Sequence, residues 1–161
     1  MNQKEIIELI DNKFGIVKSN IYDEYQLSVV VKKENIFAAL ALMQLNDFKE
    51  LSILTAVDWF DRNVFEVVYI LFSYTHNQQL ILKTEIERDN PEIVSVMKLW
   101  EVAETYERDV HEFFGIKFLG NPSLKPFFLH NWLDMPPMRK DFKTQQYSDK
   151  VFGKTKEERE K

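Results

Sequence analysis

Glu107 and His111 are the first residues in this chain that could do chemistry. They lie four apart in ERDVHEFFG, residues 107–115, a spacing that puts both on one side of a helix and within reach of a shared metal. Glu107 could also serve by itself as a catalytic acid or base. Two ligands do not make a metal centre, though, and neither H-E-x-x-H nor Glu-x-x-His is present. His76 and His130 add no ligand spacing. A second candidate is Arg139-Lys140-Asp141-Phe142, which follows Pro136 and Pro137. Two cations and a phenyl ring on a proline-stiffened segment suit either a solvated turn with one buried aromatic or an arm offered to an acidic partner.

The helix around Glu107 must position it. On a wheel at ~100° per residue, Val96, Leu99, Trp100, Ala103, Tyr106, Val110, Phe113 and Phe114 share one arc. Lys98, Glu101, Glu104, Thr105, Arg108, Asp109 and Glu112 share the other. Glu107 falls inside the apolar arc, between Trp100 and Phe114, and His111 falls at its border. A buried carboxylate must be paired, protonated or at an interface. Arg108 is expected to pair with Glu104 and Glu112, its neighbours one turn away. The partner of Glu107 is therefore expected to be distant: a backbone group, the arm after Gly115, or another chain. A clamp within the fold, an interface contact and a catalytic or metal-binding acid all stay open on the residues alone.

Other chemistry is excluded by what is missing. The chain has no cysteine, which removes disulfides and cysteine-held zinc or iron–sulfur clusters. Gly115 and Gly120 lack the Lys-Ser/Thr of a phosphate loop, and G-x-G-x-x-G and G-x-S-x-G are absent. A net charge of −5 disfavours nucleic acid, whose phosphates need a basic footprint. No apolar run approaches the ~20 residues of a membrane span, and MNQKEIIELI lacks the pattern of a signal peptide. The expectation is a soluble, cytoplasmic chain that other proteins hold at any membrane it serves.

The remaining elements frame this helix. Residues 3–14 carry Ile6, Ile7, Ile10 and Phe14 at helical spacing before Gly15. Tyr25–Lys32 reads as a β-branched strand, and residues 35–46 as an apolar helix packed on a sheet. Leu51–Trp59, Val64–Tyr74 and Gln79–Glu87 read as three strands in series, joined by short polar connections that favour antiparallel hairpins. Asn90-Pro91 reads as a helix start or turn, and a helix is expected over about 98–114, stopped by Gly115. Ile116 and Phe118 mark a short strand, Gly120-Asn121-Pro122 a turn, and Pro126, Pro136 and Pro137 an extended segment. The order predicts an α+β fold: a single domain over residues 1–142, a mostly antiparallel or mixed sheet with helices on one face, and an extended C-terminal arm. Residues 143–161 read as a polar tail that orders on binding.

Two motifs in order, ERDVHEFFGIKF and PPMRKDF, resemble the C-type subunit of bacterial NADH-quinone oxidoreductase, respiratory complex I. Glu107, Arg108, Asp109, Glu112 and Gly115 occupy the first motif, and Arg139, Lys140, Asp141 and Phe142 the second; Ser95, Trp100 and Ala103 also match. The resemblance runs from about residue 5 to 142. Asp109 stands where that family usually has Glu, Asn121 and Lys125-Pro126-Phe127 replace a more basic run, and HNWLDMPPM replaces the usual Gly-His-Pro approach. These departures look closer to equivalent subunits of membrane-bound hydrogenase complexes. The resemblance implies a cofactor-free scaffold in the peripheral arm, on the cytoplasmic side of the membrane. It implies contact with a D-type quinone-site subunit and a B-type iron–sulfur subunit, with iron–sulfur clusters, flavin and quinone carried by partners. It places the subunit interface at the two motifs, with Arg139, Lys140 and Phe142 docking on the D-type subunit. A free-standing metallohydrolase using Glu107 and His111, or an isolated acidic binding module, are the readings from other classes.

Overall fold

The structure, a computed structural model, describes residues 1–132 and 134–153. The first helix, α1 (Gln3–Phe14), starts at a reciprocal cap. Asn2 Oδ1 accepts the Glu5 N–H at 3.0 Å and the Glu5 carboxylate accepts the Asn2 N–H at 3.0 Å, so two otherwise unpaired helix donors are satisfied. Ile6 and Ile10 are its buried residues. Two strands follow, β1 (Lys18–Ile21) and β2 (Gln26–Val30), then helix α2 (Ile36–Leu45). The hairpin series is β3 (Glu50–Trp59), β4 (Val64–Ser73) and β5 (Gln78–Glu87). Asn63 and Asn77 take positive φ in its connections, a conformation asparagine tolerates better than most residues.

The sheet order is β1-β2-β5-β4-β3. β3, β4 and β5 pair antiparallel as expected, while β2 lies parallel to β5. The sheet is therefore mixed, because the connection through α2 carries the chain from β2 to the far edge and two hairpins bring it back. Along β5, Leu80, Leu82, Thr84 and Ile86 are buried on the face that meets the helices. Residues of α1, α2 and the later helix join them in one continuous core with Phe65, Val67, Tyr69 and Leu71 of β4. The strand β1 was not expected from the sequence; all four of its residues are exposed, so they carry no apolar alternation to read.

The C-terminal third holds a second, smaller unit. Strand β6 (Glu92–Val94), helix α3 (Ala103–Phe114) and strand β7 (Lys117–Leu119) form a parallel β–α–β loop, with Ile93 opposite Phe118. The Asn90-Pro91 segment thus leads into a strand rather than a helix. The helix expected over 98–114 begins only at Ala103. Residues 97–102 form turns instead, pinned where the Trp100 indole donates to Lys49 O at 2.8 Å. Gly115 ends α3 at φ 79°, and its N–H donates to His111 O, as a left-handed cap requires. Within the stretch read as a polar tail, Thr144–Phe152 form helix α4; residues 154–161 of that stretch lie outside the described residues.

Candidate functional site

Glu107 sits at the middle of the β6–α3–β7 unit and is 0% exposed. One carboxylate oxygen accepts the Val96 N–H at 2.7 Å; the other accepts the Ser95 hydroxyl at 2.7 Å and the Asn121 amide at 2.8 Å. Its partners include a backbone group and a side chain beyond Gly115, two of the three places the sequence left open, and the Ser95 hydroxyl before the helix, which it did not foresee. The side chain ties the helix to the chain leaving β6 and to the turn leaving β7. Burial pushes its pKa above the ordinary 4.5, against the pull of Ser95, Val96 and Asn121. With both oxygens enclosed, Glu107 is not offered to a substrate. His111 Nδ1 lies 2.9 Å from Ile116 O. Among the described residues, no three His, Asp or Glu side chains gather where a metal could be held, so the geometry does not support the metallohydrolase.

Glu112 was placed on the polar arc, yet it is buried. The chain after Asn121 folds back over the end of α3, and Glu112 accepts the N–H groups of Phe127 and Phe128 at 3.1 Å together with that of Leu129. Burial alone would raise its pKa; the converging amides and Arg108 bring it below 4.5. This overturns the expected pairing of Arg108 with Glu104 and Glu112. Glu104 takes the Ser123 hydroxyl. Arg108 lies over the Phe127 ring at 4.4 Å, with its Nε 3.8 Å from Asp109. A flat guanidinium on an aromatic face is a favourable resting place. Burial raises the pKa of Asp109, with Arg108 opposing.

Residues 120–142, called the strap here, contain no helix or strand among those described and are held at further points. Met138 N–H donates to Phe113 O at 3.0 Å. Pro136 passes so close to Gly115 that a Cβ there would meet its Cγ at 3.0 Å, so Gly115 serves both the helix cap and this crossing. At the end of the sheet, Arg88 is 6% exposed and bidentate to Asp58, at 2.9 and 3.2 Å. It also binds Asp141 of the strap, and Lys140 N–H donates to Asp58 at 2.7 Å. The Asp58 hydrogen bond lifts the Arg88 pKa further, and Arg88 in turn holds Asp141 below the ordinary 3.8. Arg139 lies over Phe65 at 5.3 Å. Phe142 packs on Trp132 and Tyr147, at 5.5 and 5.7 Å, which seats α4. Among Arg139, Lys140, Asp141 and Phe142, only Lys140 is exposed. Beside it the strap exposes Phe127, Phe128, Met135 and Met138, at 52, 59, 38 and 55%.

A profile of the respiratory-chain NADH dehydrogenase 30 Kd subunit matches residues 29–148. The chain belongs to that family. Relatives extend across more than one kind of complex. The C-type subunit of F(420)H(2) dehydrogenase from Methanosarcina mazei is 34% identical over 88% of this chain and 92% of its own length. The C-type subunit of NADH-quinone oxidoreductase from Moorella thermoacetica is 33% identical, over 73% of this chain and 80% of its own. The chain spans 47 and 48% of two longer mitochondrial relatives. Among solved structures, a chain of the membrane-bound sulfane sulfur reductase, an archaeal respiratory membrane complex, superposes with TM-score 0.83 at 31% identity, covering 92% of this chain and 90% of that one.

Within this 30 Kd subunit family member, the sequence reading missed Asp58 and Arg88. Their signal was the strand period. Asp58 continues the buried series Leu54, Ala56, and Arg88 continues Leu80, Leu82, Thr84, Ile86. A charge in register with a buried row needs an opposite charge beside it. Ser95 was noticed only as a match in the resemblance, and Asn121 only as a turn residue and a departure from the family, because short polar residues near turns give no sign of a distant carboxylate.

Proposed function

We propose that this chain is a cofactor-free scaffold subunit in the peripheral arm of an NADH-quinone oxidoreductase, supporting electron transfer from NADH to quinone coupled to ion translocation. The observation that carries the reading is the strap: a segment anchored from beneath by Glu112, Phe113 and Arg88, with phenyl and thioether groups turned outward. Exposed aromatic and methionine side chains on a fixed backbone are what a protein partner can bury. Lys125, Lys140 and Lys143 around them are also exposed, so the matching surface is apolar with an acidic rim. The D-type quinone-site subunit is assigned as the partner of Arg139, Lys140 and Phe142, with the B-type iron–sulfur subunit adjoining. Arg108 and Gly115 act in the interface by fixing the strap, with Asp109 beside Arg108. Flavin, iron–sulfur clusters and quinone are assigned to the partners; this chain offers no cysteine to ligate a cluster. No described helix is long and apolar enough to cross a membrane, and we place the chain on the cytoplasmic side, attached through the complex alone.

A second reading is the equivalent subunit of a related complex with a different electron donor, such as an energy-converting hydrogenase. It is favoured by the near-complete overlap with the F(420)H(2) dehydrogenase subunit and with the sulfane sulfur reductase chain. A tagged pull-down from native membranes decides. Flavin- and nucleotide-site subunits in the eluate support NADH oxidation, and a nickel-bearing large subunit supports hydrogenase. A lone stable monomer would overturn both. Arg139→Ala is expected to lower recovery of the D-type subunit while the isolated domain stays folded.

A further inference from the structure

We infer that Asp58 and Arg88 are positioning residues for the strap, fixing its outward face before any partner arrives. The inference rests on the docking role proposed above and adds two residues buried beneath the strap. With no helix or strand among the described residues of 120–142, the strap has no hydrogen-bond ladder of its own to fix its path. Its path is set where it is gripped. Glu112 grips residues 127–129 and Phe113 O grips Met138, but neither controls the far end. That end is held at Lys140 and Asp141 by an ion group made of two strand ends: Asp58 lies near the end of β3 and Arg88 follows β5, while Phe65 of β4 pairs with Asp58 on one side and Ile86 on the other. The guanidinium is flanked by the Phe60 and Phe65 rings at 5.0 and 5.6 Å. The Asp58–Arg88 pair is buried, with Asp141 at its partly exposed rim, and a charge-assisted bond shielded from water is strong and directional. Apolar packing there would hold the strap in several ways; a planar fork meeting two carboxylates holds it in one. A strap fixed in advance spares the complex the ordering cost of a loose segment on binding.

The variants to make are Asp141→Ala, which removes the strap's ion pair with Arg88 but leaves the buried Asp58–Arg88 pair and the Lys140 N–H bond to Asp58, and Arg88→Lys, which keeps the charge and loses the fork. The first measurement is amide exchange in the full chain; the second is partner recovery from native membranes at rising salt. Asp141→Ala should speed exchange at Met138 and Lys140 by about tenfold or more, leave the β4 amides unchanged, and reduce partner recovery most at high salt. Arg88→Lys should fall between Asp141→Ala and the parent. Unchanged exchange at Met138 and Lys140 overturns the inference, as does equal loosening of strap and sheet, which would make the group a general stabiliser. Phe128→Asp and Met138→Asp separate the two claims. If they leave partner recovery intact, the docking reading itself fails. If they abolish recovery while Asp141→Ala loosens the strap without loss, docking stands and the positioning role falls.

Discussion

Glu107 and Glu112 occupy one helix, both are buried, and both accept hydrogen bonds from three residues, yet their pKa values move in opposite directions. Glu107 lies in the domain interior between a hydroxyl, a side-chain amide and one backbone N–H. Glu112 lies at the helix end, where three successive backbone amides converge and Arg108 is near. Depth of burial prevails in the first case and focused dipoles with a nearby cation in the second. The interior site ties the β6–α3–β7 unit together at an electrostatic cost. The exterior site makes its charge the means by which the strap is caught.

That contrast can be broken by substitution. The largest effect is expected for Glu107→Ala, which leaves the Val96 N–H and the Asn121 amide without this acceptor in a closed space. A loss of about 3–5 kcal/mol in denaturant unfolding is expected, and a loss below about 1 kcal/mol would show that the staple is unimportant. Glu112→Ala should cost less globally, about 1–3 kcal/mol, because the freed amides can reach water; its signature is fast exchange at Phe127, Phe128 and Leu129 with the sheet unaffected. Gly115→Ala should cost about 1–2 kcal/mol, from its left-handed backbone and the contact with Pro136. Lys140→Ala, whose backbone alone is engaged within the fold, should stay within about 0.5 kcal/mol of the parent.

The pH dependence sharpens the same comparison. Glu112 and Asp141 have folded pKa values below their ordinary 4.5 and 3.8. Their stabilisation is present above those ordinary values and is lost as pH falls through the lower folded ones. Glu107 has a folded pKa above 4.5, so the folded state binds more protons just above that pH and stability declines there as pH rises. Unfolding followed from pH 3 to 7 (about the range these carboxyls span) should show a shallower acid loss for Glu112→Gln. For Glu107→Gln the decline above 4.5 should vanish. Parallel curves for the two variants would refute the opposed roles.

Much of the fold was legible along the chain. The hairpin series β3–β4–β5 was readable because its strands are long apolar runs rich in β-branched residues and each connection is short and polar. The stop of α3 was readable because glycine is the residue most at ease in a left-handed cap. Glu107 was recognisable as a carboxylate in need of a partner, since its place on the wheel is fixed by local geometry. What failed were features settled at a distance. The polar arc did not foresee a buried Glu112, because the strap that buries it returns from beyond the helix. Arg108 turned to Phe127 rather than to its own helix for the same reason. Strand β6 is too short for a period to show, and its pairing is with a segment across α3.

The amino-acid sequence by itself determined the elements, the direction each apolar face must point and the need of one acid for company, because these depend on neighbours a few residues away. Only the tertiary structure decided that β2 lies against β5, that Ser95 and Asn121 meet Glu107, and that Arg88 joins Asp58 to Asp141. Such contacts depend on which distant surfaces close over one another, and a buried charge accepts whichever opposite group the closure brings within reach.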